Sequence, residues 1–415
     1  MDNGVLIAHL FRTEYRKVVS VLCKHFGLAR MELAEDIASE TFLKASETWR
    51  WRGVPANPVA WLYHVAKNDA RNRLQRDAVF RRKVTPELMG HPSGAPDDDI
   101  DLSPQNITDS QLQMMFAICH PGISPEAQVG LSLRILCGFG IEEIADAFLS
   151  NRETINKRLF RARERLREVS ITIAFPPPAE IDERLDTVLT TIYLLFNEGY
   201  YSASQNETLR KDLCLEAMRL CHMLVENQRT NKPAVHALLS LMYFHASRFE
   251  ARFDSDGAPI LYEDQDTSLW NPGLISRGEY FLQTSAAGPV ISKYHLLAAI
   301  GYWNTRAHDT PEKWNQILQT YDRLLLTDYS PLAALNRAFA LARVRGKEEG
   351  IGAVEELALT DNRFYWALLG DLYTGIDDTR AFDYLSRALA MARTPAENAV
   401  LQRKLSRLPK AQSED

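Results

Sequence analysis

Between Phe139 and Leu166 the chain carries two apolar stripes at helical spacing, parted by a break of three residues. In the first, Phe139-Gly140-Ile141-Glu142-Glu143-Ile144-Ala145-Asp146-Ala147-Phe148, Ile144 and Phe148 lie one turn apart and face inward. Leu149-Ser150-Asn151 reads as a tight turn. In the second stripe Ile155, Leu159, Ala162 and Leu166 share one helix face. The opposite side carries Arg152, Glu153, Thr154, Asn156, Lys157, Arg158 and Arg161. Ser150, with Glu153 three residues on, reads as a capping box. A short helix, a tight turn and an apolar-backed basic helix predict a helix-turn-helix, whose second helix enters the major groove of DNA. The first turn of that helix points at bases, so Arg152, Glu153, Asn156 and Lys157 are the expected base readers. Arg158, Arg161, Arg163 and Arg165 are the expected phosphate contacts. A hairpin with a merely solvated basic face is the alternative, but cap, turn length and charge agree on the motif.

Helical periodicity runs along nearly the whole chain and strand-type alternation is scarce, so the expected fold class is all-α. At 415 residues the chain exceeds one core. Two stretches punctuate it. Residues 85–109 hold Pro86, Pro92, Pro96, Pro104 and the acidic run Asp97-Asp98-Asp99-Ile100-Asp101, the composition of a flexible linker. Phe175-Pro176-Pro177-Pro178 ends any helix and stiffens the join. The modules expected are therefore 1–84, 110–172 and 179–415.

The net charge of −6 conceals an asymmetry. Residues 1–170 carry 23 Lys and Arg against 22 Asp and Glu, whereas the remainder carries 25 against 32. The basic charge is also clustered, with seven Lys and Arg over 61–83 and seven over 152–167, each against two acids. Two basic helices on a neutral background point to a polyanion touched in two places. The five cysteines are scattered, with no C-x-x-C, and read as reduced core thiols. No apolar run spans a membrane and no secretion signal opens the chain, so a cytoplasmic protein without membrane contact is expected. Phosphate-loop, nucleophile-elbow and zinc-protease motifs are missing. Glu198, Glu263, Asp264 and Asp266 are the carboxylates to weigh for chemistry, and caps or inter-helix hydrogen bonds are their expected role. Neither an enzyme nor a cofactor is expected.

In the first module Ala38, Phe42 and Ala45 supply a packing stripe, while Asp36, Glu40 and Glu47 lie on other rows. An aromatic and basic loop follows, Trp49-Arg50-Trp51-Arg52-Gly53-Val54-Pro55-Ala56-Asn57-Pro58. The next helix opens at Pro58 and buries Val59, Leu62, Tyr63, Ala66, Ala70 and Leu74. Its other side offers Lys67, Asn68, Arg71, Asn72, Gln75 and Arg76, which suit base edges and phosphates. Trp61 reads either as a platform for an unpaired base or as core.

Ala34-Glu35-Asp36-Ile37-Ala38-Ser39-Glu40-Thr41-Phe42-Leu43-Lys44-Ala45 resembles the region 2 helix of the sigma-70 family that docks on RNA polymerase. Pro58 to Asn68 resembles its −10 segment, and Ile141 to Leu166 resembles region 4, which reads the −35 element. The resemblance is to the extracytoplasmic-function branch. Ser39 stands where that family commonly has Gln. Ile192 to Tyr200 and Leu261 to Asp266, after the proline run, resemble the C-terminal extension of a subgroup with tetratricopeptide-like repeats. The resemblance implies a factor that binds RNA polymerase core and directs it to promoter DNA. It implies polymerase contacts at Asp36, Glu40, Phe42 and Leu43. It implies −10 contacts at Trp51, Arg52, Asn57, Trp61, Lys67, Asn68, Arg71, Asn72 and Arg76, and a regulatory extension.

Trp366, Leu369, Gly370 and Tyr373 have the spacing of the first helix of a tetratricopeptide repeat, and Ala381 and Ala388 that of the second. Stacked pairs would make a concave surface for a protein or peptide ligand. A helix-turn-helix regulator with a ligand-sensing domain is the second reading, and the first module argues against it, since a regulator has no need of one. An enzyme housed in 179–415 is the third.

Overall fold

The computed structural model describes residues 3–84, 100–148, 150–169, 171–201, 207–252, 260, 262–392 and 395–408. Every regular element among them is helical. The chain divides into two compact units, Met1–Leu195 and Phe196–Asp415.

The first unit holds α1 (Asn3–Phe26), α2 (Met31–Arg52), α3 (Pro58–Val84), α4 (Pro104–Ile118) and α5 (Pro125–Leu131). A wide π-type turn at Ser132–Leu136, α6 (Ile141–Ala147), α7 (Arg152–Glu168) and most of α8 (Ile181–Tyr201) complete it. α2 stops where Gly53 takes φ +78, a left-handed conformation that favours glycine, and its N–H closes on the Trp49 carbonyl at 3.1 Å. α4 and α5 each begin with proline behind a serine, Ser103 and Ser124, whose side chain accepts the N–H three residues on.

α1 is the spine of this unit. It packs on α2 and α3, and also on α4 and the π-type turn. Val18, Leu22 and Cys23 are fully buried along it. The modules read from sequence as 1–84 and 110–172 therefore share one core. Residues 85–99 of the expected linker lie outside the described residues, but its last part is folded. Ile100 is buried, Asp101 accepts the Ser103 N–H at 2.8 Å, and α4 starts at Pro104. Beyond the proline run, α8 ties back into the same unit. Arg184 donates to the Phe116 carbonyl and Thr191 to the buried Gln128, each at 2.7 Å.

The second unit continues with α9 (Glu207–Glu226), α10 (Pro233–Ala246), α11 (Pro272–Ser285), α12 (Lys293–Trp303) and α13 (Pro311–Thr327). It ends with α14 (Pro331–Arg345), α15 (Lys347–Leu357), α16 (Arg363–Tyr373), α17 (Asp378–Ala390) and α18 (Pro395–Arg407). α10 is buried on nearly all sides and packs on α9, α11 and α12. From α12 to α18 each helix packs on the next, which builds a stack of helical neighbours. Leu369, Gly370, Tyr373, Ala381 and Ala388 fall in one core between α16 and α17. Gly370 lets the two helices approach, since a Cβ there would sit 2.6 Å from Leu385 Cγ.

Candidate nucleic-acid and polymerase interface

α7 is amphipathic as its spacing requires, with Ile155, Leu159, Ala162 and Leu166 buried. Its N-cap is Asn151, whose side chain accepts the Thr154 N–H at 2.8 Å. The expected Ser150–Glu153 box does not form. Asn151 is one residue nearer the helix, and Glu153 pairs with Lys157 at 2.6 Å instead. Arg152, Thr154, Asn156, Lys157 and Arg161 are all exposed on one side of the helix. Arg158 is half-buried, with its guanidinium 5.4 Å from the Phe148 ring. Arg152 reaches Glu142 at 3.2 Å, but both side chains are largely in water and the pair is weak. Lys157, Arg158, Arg161 and Arg165 line a groove of about 480 Å³ whose far wall is Gly122-Ile123-Ser124 and Ala127. An open groove edged by four cations is an electropositive channel for a phosphate backbone.

Arg163 is not on that side. Its guanidinium bonds both carboxylate oxygens of Glu35 on α2, at 3.0 and 2.9 Å, and Arg134 joins the same carboxylate at 3.2 Å. The three side chains are between 10% and 22% exposed, so this is a largely buried ion cluster binding α7 to α2. Arg167 adds a longer contact to Glu32 at 3.7 Å. Arg163 is therefore on a carboxylate rather than on the expected phosphate-facing side, and the spacing of α7 alone gives no sign of the cluster. The signal was Glu35 itself. With Met31, Ala38 and Phe42 it sits on an apolar stripe, and a carboxylate there needs a buried cation.

α2 and α3 sort the remaining residues. Asp36 and Leu43 are exposed. Glu40 is half-buried and paired with Arg73 of α3. Phe42 does not face a partner. It is 5% exposed, with its ring 5.2 Å from Phe11 and 6.3 Å from Tyr15, because the stripe that makes it apolar also turns it into the α1 core. Trp61 is half-buried, edge-on to Trp49 at 5.4 Å. Trp51 is the exposed aromatic, at 83%, beside Arg50 and the exposed Arg52. Asn57 caps α3, its Oδ1 accepting the Ala60 N–H at 3.0 Å. Lys67 is half-buried, Asn68 bonds His64 at 2.9 Å, and Arg71, Asn72 and Arg76 are exposed along α3.

In the second unit Asp266 is a cap, accepting the Ser268 N–H at 2.9 Å, and Glu263 and Asp264 are exposed. Among the described residues no cluster of His, Cys, Asp and Glu is placed to hold a metal, and no helix is long and apolar enough to cross a membrane. All five cysteines are buried and unbridged, and burial pushes the Cys23, Cys119 and Cys221 thiols up, Cys119 to about 11.

Residues 10–79, which span α1 to α3, match the sigma-70 region 2 family. An ECF RNA polymerase sigma-E factor of Haemophilus influenzae is 29% identical over 136 residues, 31% of this chain and 70% of that relative. The likeness to the sigma-70 family lies in region 2, residues 10–79. An ECF RNA polymerase sigma factor SigG of Mycobacterium tuberculosis is 26% identical over 156 residues, 33% of this chain and 41% of its own length. The two likenesses to sigma factors each cover about a third of this chain. An uncharacterized protein of Rhizobium meliloti is similar across almost all of it, 31% identical over 401 residues, 94% of this chain and 93% of the relative. Residues 184–286 match a family of unknown function, DUF6596. No solved structure matches the chain.

Proposed function

We propose that this chain is an extracytoplasmic-function sigma factor that binds RNA polymerase core and directs it to promoters. The observation that carries the reading is the exposed basic face of α7, which follows the short helix α6, on a chain whose α1–α3 match sigma-70 region 2. α7 reads the −35 duplex through Arg152, Thr154, Asn156 and Lys157, with Arg158, Arg161 and Arg165 on phosphates. Asp36, Glu40 and Leu43 dock on the polymerase. Trp51 and Arg52, with Asn68, Arg71, Asn72 and Arg76 of α3, capture the unpaired −10 strand, where each stacked base contributes about 1–3 kcal/mol. The second unit regulates, its tetratricopeptide-like helix stack receiving a protein or peptide.

This reading requires the first unit to open. The two promoter elements lie about 25 base pairs apart, or ~85 Å of duplex. A compact unit of 195 residues is only about 40 Å across. α3 and α7 held in one such unit cannot reach both elements, so the contact between Glu35 and Arg163 breaks when polymerase spreads them.

Run-off transcription on genomic templates with purified polymerase core tests the proposal. Promoter-specific transcripts are expected with the chain and not without it, and the Lys157→Ala/Arg161→Ala double variant should lose them. Tight duplex binding by the chain alone, with no transcript in the presence of core, would sink the proposal in favour of a stand-alone helix-turn-helix regulator.

A further inference from the structure

Arg248 follows α10 in the second unit and is 7% exposed. Among the described residues no carboxylate pairs with it. One Nη donates to the Tyr200 hydroxyl at 3.3 Å, and its guanidinium carbon lies 5.2 Å from the Tyr262 ring and 6.0 Å from the Trp270 ring. Its Nε is buried without an acceptor, and so is the indole Nε1 of Trp270, itself 7% exposed. Two orphan donors thus belong to one aromatic cluster, and one of them carries a full charge.

The surroundings add positive charge. Arg252 stacks on Tyr200, its guanidinium carbon 3.7 Å from the ring centre. Lys313, 1% exposed, donates to the Tyr262 hydroxyl at 3.0 Å and pairs with Asp309, which Arg343 also engages. His245 stands 4.4 Å from Tyr200, its pKa held well below the ordinary value by burial and by Arg248 and Arg252. A buried charge left without a counter-ion is costly by several kcal/mol. Aromatic faces offset part of that, on the order of 2 kcal/mol when desolvated. A neutral hydrogen-bond partner would satisfy Nε but leave the charge. An oxyanion satisfies both, and a planar guanidinium fork matches carboxylate or phosphate oxygens two at a time.

We propose that Arg248, Trp270, Tyr200 and Tyr262 form a binding site for an oxyanion, a carboxylate or a phosphate, in the second unit. The site does not depend on the reading of the first unit, and it gives the second unit a ligand chemistry. The carboxylate arises from a small acid or from an acidic peptide, and the phosphate from a free or esterified group.

Calorimetric titration and thermal unfolding of the full chain test it, with inorganic phosphate, acetate and an Asp-containing tetrapeptide as separate arms and chloride at matched ionic strength as control. Saturable binding of at least one oxyanion is expected, with a raised unfolding temperature that chloride does not produce. Preference among the arms names the source. Arg248→Gln should weaken that binding about tenfold to a hundredfold, the worth of a charge-assisted pair. Arg248→Met removes the buried charge, so it should leave the ligand-free fold as stable or more so, and abolish the oxyanion response. No saturable response to any oxyanion in the wild-type chain, or an equal response in Arg248→Met, overturns the proposal.

Discussion

Replacing Glu35 by Gln keeps the side-chain shape and one carbonyl acceptor, but removes the charge that Arg134 and Arg163 share. Stripping one partner from a buried ion pair costs about 3–5 kcal/mol. Here the loss is smaller, because the amide oxygen still accepts one guanidinium and Arg134 retains its bond to the Phe139 carbonyl at 3.1 Å. Charged hydrogen bonds contribute about 1 kcal/mol more than neutral ones each, and three are affected, which leaves about 2–3 kcal/mol. That is on the order of a hundredfold in the ratio of closed to open first unit. Cysteines introduced at the exposed Ser46 of α2 and Asn156 of α7 accept a dye pair selectively, since the native cysteines are all buried. Glu35→Gln should move the single-molecule distance distribution to longer values, and a double-mutant cycle with Arg163→Gln should return a coupling of about 0.5–3 kcal/mol. An unchanged distribution in a chain that is folded by circular dichroism would refute the reasoning, as would purely additive single effects.

Arg161→Ala should weaken binding of −35 duplex across sequences and lower the salt slope by about one, whereas Asn156→Ala should change which sequence is preferred; fluorescence anisotropy over a salt series reads both. Leu43→Ala should leave thermal stability within about 0.5 kcal/mol while reducing capture of polymerase core, but Phe42→Ala should cost about 3–5 kcal/mol of stability. Gly370→Ala should cost about 1–3 kcal/mol in denaturant titration, since its Cβ meets Leu385. His245 is neutral in the folded chain, so the unfolded chain takes up its proton at higher pH. Stability of the second unit should therefore fall as pH drops below the ordinary histidine value, by up to ~1.4 kcal/mol per pH unit for this one group, and His245→Phe should flatten that part of the slope in urea midpoints.

Much of the fold is legible in local chemistry. The Ser-Pro starts of α4, α5 and α14 mark their caps directly, and Ile155, Leu159, Ala162 and Leu166 are buried as their spacing requires. Leu369, Gly370, Tyr373, Ala381 and Ala388 meet in one core for the same reason. The boundaries were harder. Prolines and acids over 85–109 argue for open chain, yet Ile100 is an anchor and Pro104 opens a helix rather than breaking one. Proline position relative to a serine cap, not proline density, decides which of the two occurs.

The site was legible where one helix decides the outcome and obscure where two meet. Periodicity assigns each residue of α7 to a face of an isolated helix. It does not say that Arg163 and Arg167 lie on the edge that a second module covers. The same holds for Phe42 and Leu43, adjacent in sequence, where only the packing of α1 tells which is core and which is surface. A basic helix can therefore carry two functions in one sequence pattern. On α7, Arg152, Asn156, Lys157 and Arg161 are exposed, while Arg163 is held on Glu35. Under the proposed function, Arg163 is held on Glu35 and does not reach DNA until the first unit opens. Opening would then release a cation onto the helix proposed to grip the duplex, and expose a carboxylate on the helix proposed to dock on polymerase. If DNA and polymerase each stabilise the open form, as the proposed function requires, binding of either should favour binding of the other, and Glu35→Gln should reduce that coupling by up to about 2–3 kcal/mol.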